Sequence, residues 1–417
     1  MARLLVLFVT AFIDMVGLVM IVPLLPFYAT SFGANALLVG LLISAFSVAQ
    51  LAVAPVWGRF SDRYGRRPAI LAGLAVSAVA YVVFAFAGSV TILLVSRLVQ
   101  GVGGGTIGVV QAYVADVSPP EQRTKSLGWL SAVTSLGAVV GPAFGSILVG
   151  LGGQRAPGLA AAALSALVAL FAGRFLRESR ELRPSGSREA PVATTGRAAL
   201  ARVISHWHEP APRLIWIYAV AIGAFYGTVQ TVPLLLQERL GVTARTVGGF
   251  ITYLGGMGVL VRTLVLGRMV DRLGEARLSR LGAVFLAAGL GLTGLAHDGW
   301  VLLIAFTLMP LGTGLLFPCV TGLLSQVVPR GERGLYMGVQ HTFGGVSRVI
   351  FPVAAGFLMD RFGMGVPFWI SGVLVMATLP LSAALAHYVI VPEPADAVAA
   401  RRVSAADVTG ELPTEQG

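Results

Sequence analysis

Two charged side chains stand deep inside long apolar runs of this chain, Asp14 in the first and Arg97 in the fourth. Asp14 lies about ten residues into its run, roughly 15 Å deep at 1.5 Å per residue. A carboxyl group is costly there and by default functional. Out of water it can bind and release a proton at working pH, or it can simply hydrogen-bond a neighbouring helix. Arg97 sits about 10 Å from the opposite end of its run, within side-chain reach of Asp14's depth. The pair reads as a proton-coupling unit, joined directly or through Gln100 or water. The plainer alternative makes Arg97 a post tied to backbone carbonyls. Arg348, about 13 residues into a later run, has no evident acidic partner in its half of the chain. It binds an anionic substrate group, lines a wet cavity or bonds carbonyls. Tyr28, Phe225, Tyr226 and Gln230, with Trp216 and Phe317, offer an amphipathic surface for a drug-like molecule, and His341 reads as a hydrogen-bonding group of the same cavity. Arg262 is placed near the end of its run, where a long side chain reaches the surface, and is given no role.

Other chemistries find no support. His341 has no second ligand at metal spacing, and the single cysteine, Cys319, excludes an intrachain disulfide and a cysteine-based metal site. No Gly-x-x-x-x-Gly-Lys-Ser/Thr loop is present, which argues against ATP drive. Neither Gly-x-Ser-x-Gly nor an ordered Ser/His/Asp set occurs. No enzyme activity, cofactor or metal is expected.

The elements that position these groups must lie in lipid. Of 417 residues, 56% are apolar and 12% charged, against about 25% charged in soluble domains. At roughly 20 residues per crossing, the runs predict spans at 4–28, 36–57, 69–88, 90–115, 125–150, 157–176, 213–237, 244–266, 279–297, 299–325, 335–359 and 367–391. This is an all-α membrane protein of twelve helices, in two six-helix halves, 1–176 and 213–391. Arginines, Pro, Ser, Gly and Thr mark 177–212 as a cytoplasmic linker, and 392–417 reads as a disordered cytoplasmic tail. Basic residues gather in alternate connections, so both termini are expected in the cytoplasm of a cell-membrane protein. The net charge of +11 is spread over these loop ends, which removes the case for nucleic acid.

The chain is also a duplication. Gly58, Asp62, Arg63 and Gly65 recur as Gly267, Asp271, Arg272 and Gly274, and Val22-Pro23-Leu24-Leu25 recurs as Val232-Pro233-Leu234-Leu235. Pro142 recurs as Pro352, whereas Asp14 and Arg97 are matched by Ala224 and Thr307. Scaffold features repeat; these two charges do not. Six-span parallel repeats place substrate between the halves and move it by rocking. The stretch Gly58–Pro68 reads as a basic loop that latches helices: its glycines allow a tight reversal, its arginines hold an anionic surface, and Asp62 can face a helix N-terminus.

These motifs resemble the major facilitator superfamily over residues 4–391. Gly58, Asp62, Arg63, Gly65, Arg66 and Arg67 resemble its signature loop between spans 2 and 3, and Arg97, Gln100, Gly101, Gly103, Gly104 and Gly105 its span 4 signature. Gly137, Gly141, Pro142 and Gly145 resemble the antiporter signature of span 5, with Ser146 where a further glycine is common. Asp14, Gly17, Pro23 and Pro26 are similar to the opening of twelve-span drug:proton antiporters. The resemblance implies a secondary transporter that exports small amphipathic compounds against inward proton flux, expected as a monomer. It places spans 1 and 4 side by side, sets Asp62 against the start of span 11 near Gly334 and Leu335, and has Arg66 or Arg67 meet Asp116. Glu275 and Ala276 depart from the pattern beside Asp271 and Arg272. A proton-coupled carrier of a metabolite such as a sugar, amino acid or organic anion is the competing reading, with Arg348 in its favour. From another class, a non-transporting receptor or an intramembrane enzyme remains.

Overall fold

The computed structural model describes residues 2–119, 122–179, 196–329 and 331–383. The expected tail at 392–417, the end of span 12 beyond 383, the middle of the linker and Arg330 lie outside the described residues. Among the described residues every regular element is helical. Eleven helices are long and apolar enough to cross a membrane, and a twelfth is shorter. They are α1 (Leu4–Ser31), α2 (Ala36–Tyr64), α3 (Arg66–Ala85), α4 (Val90–Val117), α5 (Lys125–Gly152), α6 (Arg155–Phe175), α7 (Pro210–Leu240), α8 (Val247–Leu273), α9 (Glu275–Leu295), α10 (Gly299–Val327), α11 (Arg333–Phe362) and α12 (Val366–Ser382).

Helices are the form such runs must take, because lipid offers no partner to a free N–H or C=O. Ends are capped by short polar side chains: Asn35 Oδ1 accepts from the Leu38 amide at 3.0 Å, and Ser89 Oγ accepts from the Ile92 amide at 3.3 Å. Irregular turns fall inside the functional helices. Pro23 lies in a 3₁₀ turn of α1 at Val22–Leu24, α4 breaks between Gly104 and Ile107, and α8 carries a π turn at Val261–Val265. In the linker, Gly196–Ser205 is helical and packs on α7 and α11.

The latch differs from the expected loop. Residues 58–64 are the last turns of α2 and Arg66 already begins α3, so the reversal is confined to Gly65 at φ 106°. That angle favours glycine. Polar residues beyond the hydrocarbon keep helical backbone bonds, so the end of the apolar run at 57 is not the end of the helix. By the same effect α8 runs to Leu273 rather than 266.

Helices α1 and α3–α6 pack closely among themselves, as do α7 and α9–α12, and the principal junctions between the two sets are α2 with α11 and α5 with α8. The ends of the bundle differ. At the end remote from residue 2 and the linker, here the far end, both junctions are tight. A Cβ on Gly40 would strike the Pro352 carbonyl, one on Gly356 the Ala36 carbonyl, and one on Gly248 the Pro142 carbonyl. At the near end Gly58, Gly334 and Gly338 have open space in that position.

Candidate functional site

Asp14 is partly open on α1 and makes no hydrogen bond or ion pair among the described residues. One turn on, Gly17 leaves room for the ring of Tyr81, an edge carbon of which lies 3.8 Å from where a Cβ would be. Tyr81, on α3, sets its hydroxyl against Gln100 within electrostatic range of both Asp14 and Arg97. Arg97 donates from Nη1 to Gln100 Oε1, lies 4.9 Å over the Phe46 ring and is only 1% exposed. Its Nε and the Gln100 Nε2 find no partner among the described residues. The structure therefore links Asp14 to Arg97 through Tyr81 and Gln100 rather than by direct pairing. Tyr81 escaped the sequence reading because a tyrosine four residues from a span end looks like an ordinary interfacial aromatic.

The span 5 signature has two faces. Gly137, Gly141 and Gly145 let α5 approach the α1 backbone at Phe12, Val16 and Met20, immediately around Asp14. Pro142 and Ser146 face α8 in the other half. Ser146 Oγ accepts from the Gly248 amide at 2.8 Å and donates to the Ala244 carbonyl at 2.8 Å. The residue that departs from the glycine pattern thus ties the two halves together.

Two gates follow from α2 and α11, which run antiparallel. At the far end Asp360 of α11 accepts from the amides of Ala36 at 3.0 Å and Leu37 at 2.9 Å. Together with Asn35 it satisfies the first turn of α2. At the near end Arg66 Nε reaches Asp116 Oδ2 at 3.2 Å and Arg66 Nη1 holds Asp62 at 2.7 Å. Asp62 itself is 62% exposed and does not touch α11 in this state, and no side chain caps the start of α11. Arg67 Nη2 donates to the Gly173 carbonyl, and Arg63 lies over Tyr64 at 5.3 Å. Glu178, at the start of the linker, accepts from the amides of Arg66 at 2.9 Å and Arg67 at 3.1 Å. Its signal in the sequence was an acid among the linker's arginines. In the second copy Asp271 and Arg272 are exposed, and Glu275 bonds Gln326 at 2.9 Å instead of joining a latch.

In the second half Phe225 meets Tyr226 edge-on at 5.6 Å, and the Arg348 guanidinium lies 5.8 Å over the Tyr226 ring. Tyr218 meets Phe317 at 5.4 Å and His341 at 6.4 Å. Gln230 is partly exposed and His341 exposed beside them. Two expected cavity residues lie elsewhere. Gln100 is buried against Arg97. Tyr28 donates to the Gln154 carbonyl at 2.6 Å, stacks on Phe84 at 5.2 Å and borders a separate far-end cavity of about 530 Å³. Arg262 also moves: with α8 extended to Leu273 it stands 11 residues from the near end, at mid-depth rather than at the surface. Among the described residues no three His, Cys, Asp or Glu side chains gather as metal ligands.

The sequence profile described as Major Facilitator Superfamily matches residues 7–277 and 246–409. The chain belongs to that family and is a multi-pass membrane protein. Multidrug resistance protein 2 of Bacillus subtilis (strain 168) is 26% identical over 374 residues, covering 89% of this chain and 92% of the relative. Tetracycline resistance protein, class C, of Escherichia coli is 30% identical over 344 residues, 79% of this chain and 82% of the relative. Among solved structures, the human organic anion transporter MFSD10 (TETRAN) matches with a TM-score of 0.67 and 25% identity, covering 91% of this chain and 99% of that one.

Proposed function

We propose that the chain exports small amphipathic, drug-like compounds by alternating access, each cycle exchanging substrate for protons carried on Asp14. The carrying observation is Asp14 itself. Among the described residues every other Asp or Glu stands near a helix end or in a connection, and this one lies inside α1, without an ionic partner, against the helix that binds the other half. Relatives named for multidrug and tetracycline resistance support export as the direction. Arginine placement supports a cytoplasmic near end, so the present state, sealed at the far end, is open to the cytoplasm and ready for substrate. We assign the transport unit to a monomer in the cell membrane.

The test is Asp14→Asn in everted vesicles or proteoliposomes with an imposed pH gradient. Expected is folded protein at normal abundance with no uphill accumulation. An Asn variant that still concentrates substrate against its gradient would overturn proton carriage by Asp14.

A further inference from the structure

Resting on that export reading, we propose that Arg262 of α8 and Arg348 of α11 form a subsite for an anionic group, a carboxylate or phenolate, on an otherwise apolar aromatic substrate. Arg348 lies 14 residues from the far end of α11 and Arg262 lies 15 from the far end of α8. At 1.5 Å per residue both are roughly 21–23 Å from that end, level with Tyr226, which is 14 residues from the end of α7. The phenol of Tyr218 lies within electrostatic range of both guanidinium groups. They therefore face one region of the second half's inner wall.

Neither arginine has an acidic partner among the described residues. Arg348 has one long bond from Nε to the Gly344 carbonyl at 3.4 Å and an aromatic face; its terminal nitrogens bond no described protein atom. Arg262 is exposed although it sits at mid-depth, where exposure to lipid is costly and exposure to a wet cavity is not. The π turn carries it, and such turns recur at functional sites. Gly314 of α10 makes room for its stem, with Arg262 Cγ 3.8 Å from where a Cβ would be. From 213 to 383 all acidic residues, Glu238, Asp271, Glu275, Asp298, Glu332 and Asp360, lie at helix ends. The duplication argues against a scaffold role, since the positions 210 residues earlier are Ala52 and Ala138. Two guanidinium groups without a protein counter-charge, beside Tyr226, Tyr218 and Phe317, fit a carboxylate held by charge-assisted bonds with its ring on the aromatics.

The experiment measures binding without any gradient, at fixed pH 7, to the full chain in zwitterionic nanodiscs. The probes are a calorimetric series of aryl carboxylates of one to three rings, each with its amide and its aryl-methylamine. The expected result is that acids bind wild type more tightly than their amides, and that Arg348→Gln and Arg262→Gln each weaken the acids about tenfold or more while leaving the amides within about twofold. Asp14→Asn, in which export fails, should retain the acid preference; its loss only in the arginine variants separates this subsite from proton coupling. Replacing gluconate by chloride, or adding phosphatidylglycerol, should not displace the acids; displacement by either would assign the site to a free ion or a lipid headgroup and overturn the substrate reading. Equal binding of acids and amides, preference for the amines, no binding by any acid, or arginine variants that keep the preference would each overturn it as well.

Discussion

Asp62 and Asp360 occupy the same place in two antiparallel helices. Each stands two residues before the helix end, in Asp-Arg-Tyr-Gly on α2 and Asp-Arg-Phe-Gly on α11, and each helix stops at a glycine with φ 106° or 110°. Only Asp360 is engaged, on the first amides of α2. Along the junction Ala36 faces Gly356, Gly40 faces Pro352, Ser44 bonds the Val349 carbonyl at 2.6 Å and Leu51 faces Gly345. Continued to the near end, that register brings Asp62 to the uncapped first turn of α11. The two aspartates are reciprocal caps, one made in each state of the cycle.

Removing the made cap should release the present state. A carboxylate at a helix N-terminus contributes roughly 0.3 to 2 kcal/mol, so Asp360→Asn is expected to shift the balance about 2- to 30-fold toward opening at the far end, without unfolding. Paired spin labels across the far ends of α2 and α11 read the distribution. An unchanged distance distribution would remove Asp360 as a gate.

Asp62→Asn should act in the opposite sense. The cap it removes belongs to the state sealed at the near end, so the population moves further toward the present one and turnover slows. Asp271→Asn should do less, because Asp271 is exposed and Glu275 is committed to Gln326. A larger shift from Asp271→Asn than from Asp62→Asn would contradict this assignment of the latch.

Glu178 predicts a purely structural effect at the same corner. It satisfies two amides at the start of α3, and loss of such a cap costs about 1 kcal/mol. Glu178→Ala should lower the midpoint of thermal unfolding while sparing substrate affinity in whatever protein remains folded. Unchanged thermal stability would mean that water replaces the carboxylate without loss.

Much of this was legible in the sequence because lipid enforces it: apolar runs of span length must be helices, and the repeat exposes the unduplicated Asp14 and Arg97. Three things were hidden for identifiable reasons. Hydropathy marks where the hydrocarbon ends, not where helical hydrogen bonding ends, so the latch looked like a loop and Arg262 looked superficial. A repeat offset of 210 compares α2 with α8, whereas the gate joins α2 to α11, so the second Asp-Arg-aromatic-Gly ending was missed. Glu178 and Tyr81 act through contacts between helices distant in sequence, which spacing along one helix does not reveal.

The relay from Asp14 through Tyr81 and Gln100 to Arg97 makes the sharpest functional prediction, because it separates a coupling role for Arg97 from that of a structural post. Arg97 is buried with its charge directed at Gln100 and the Phe46 ring, so its influence on Asp14 passes through the groups between them. If so, Tyr81→Phe and Arg97→Gln disturb one unit. Each should alter the pH profile of proton-driven export, and the double variant should resemble the more severe single variant. Residues in one hydrogen-bonded network typically show coupling energies of about 0.5 to 3 kcal/mol, whereas independent sites add within about 0.5 kcal/mol. Export rates of the four proteins across a pH series supply the cycle, and substrate binding without a gradient shows whether the cavity survives. Additive effects, or a Tyr81→Phe profile identical to wild type, would leave Arg97 as a post in α4 and return proton handling to Asp14 alone.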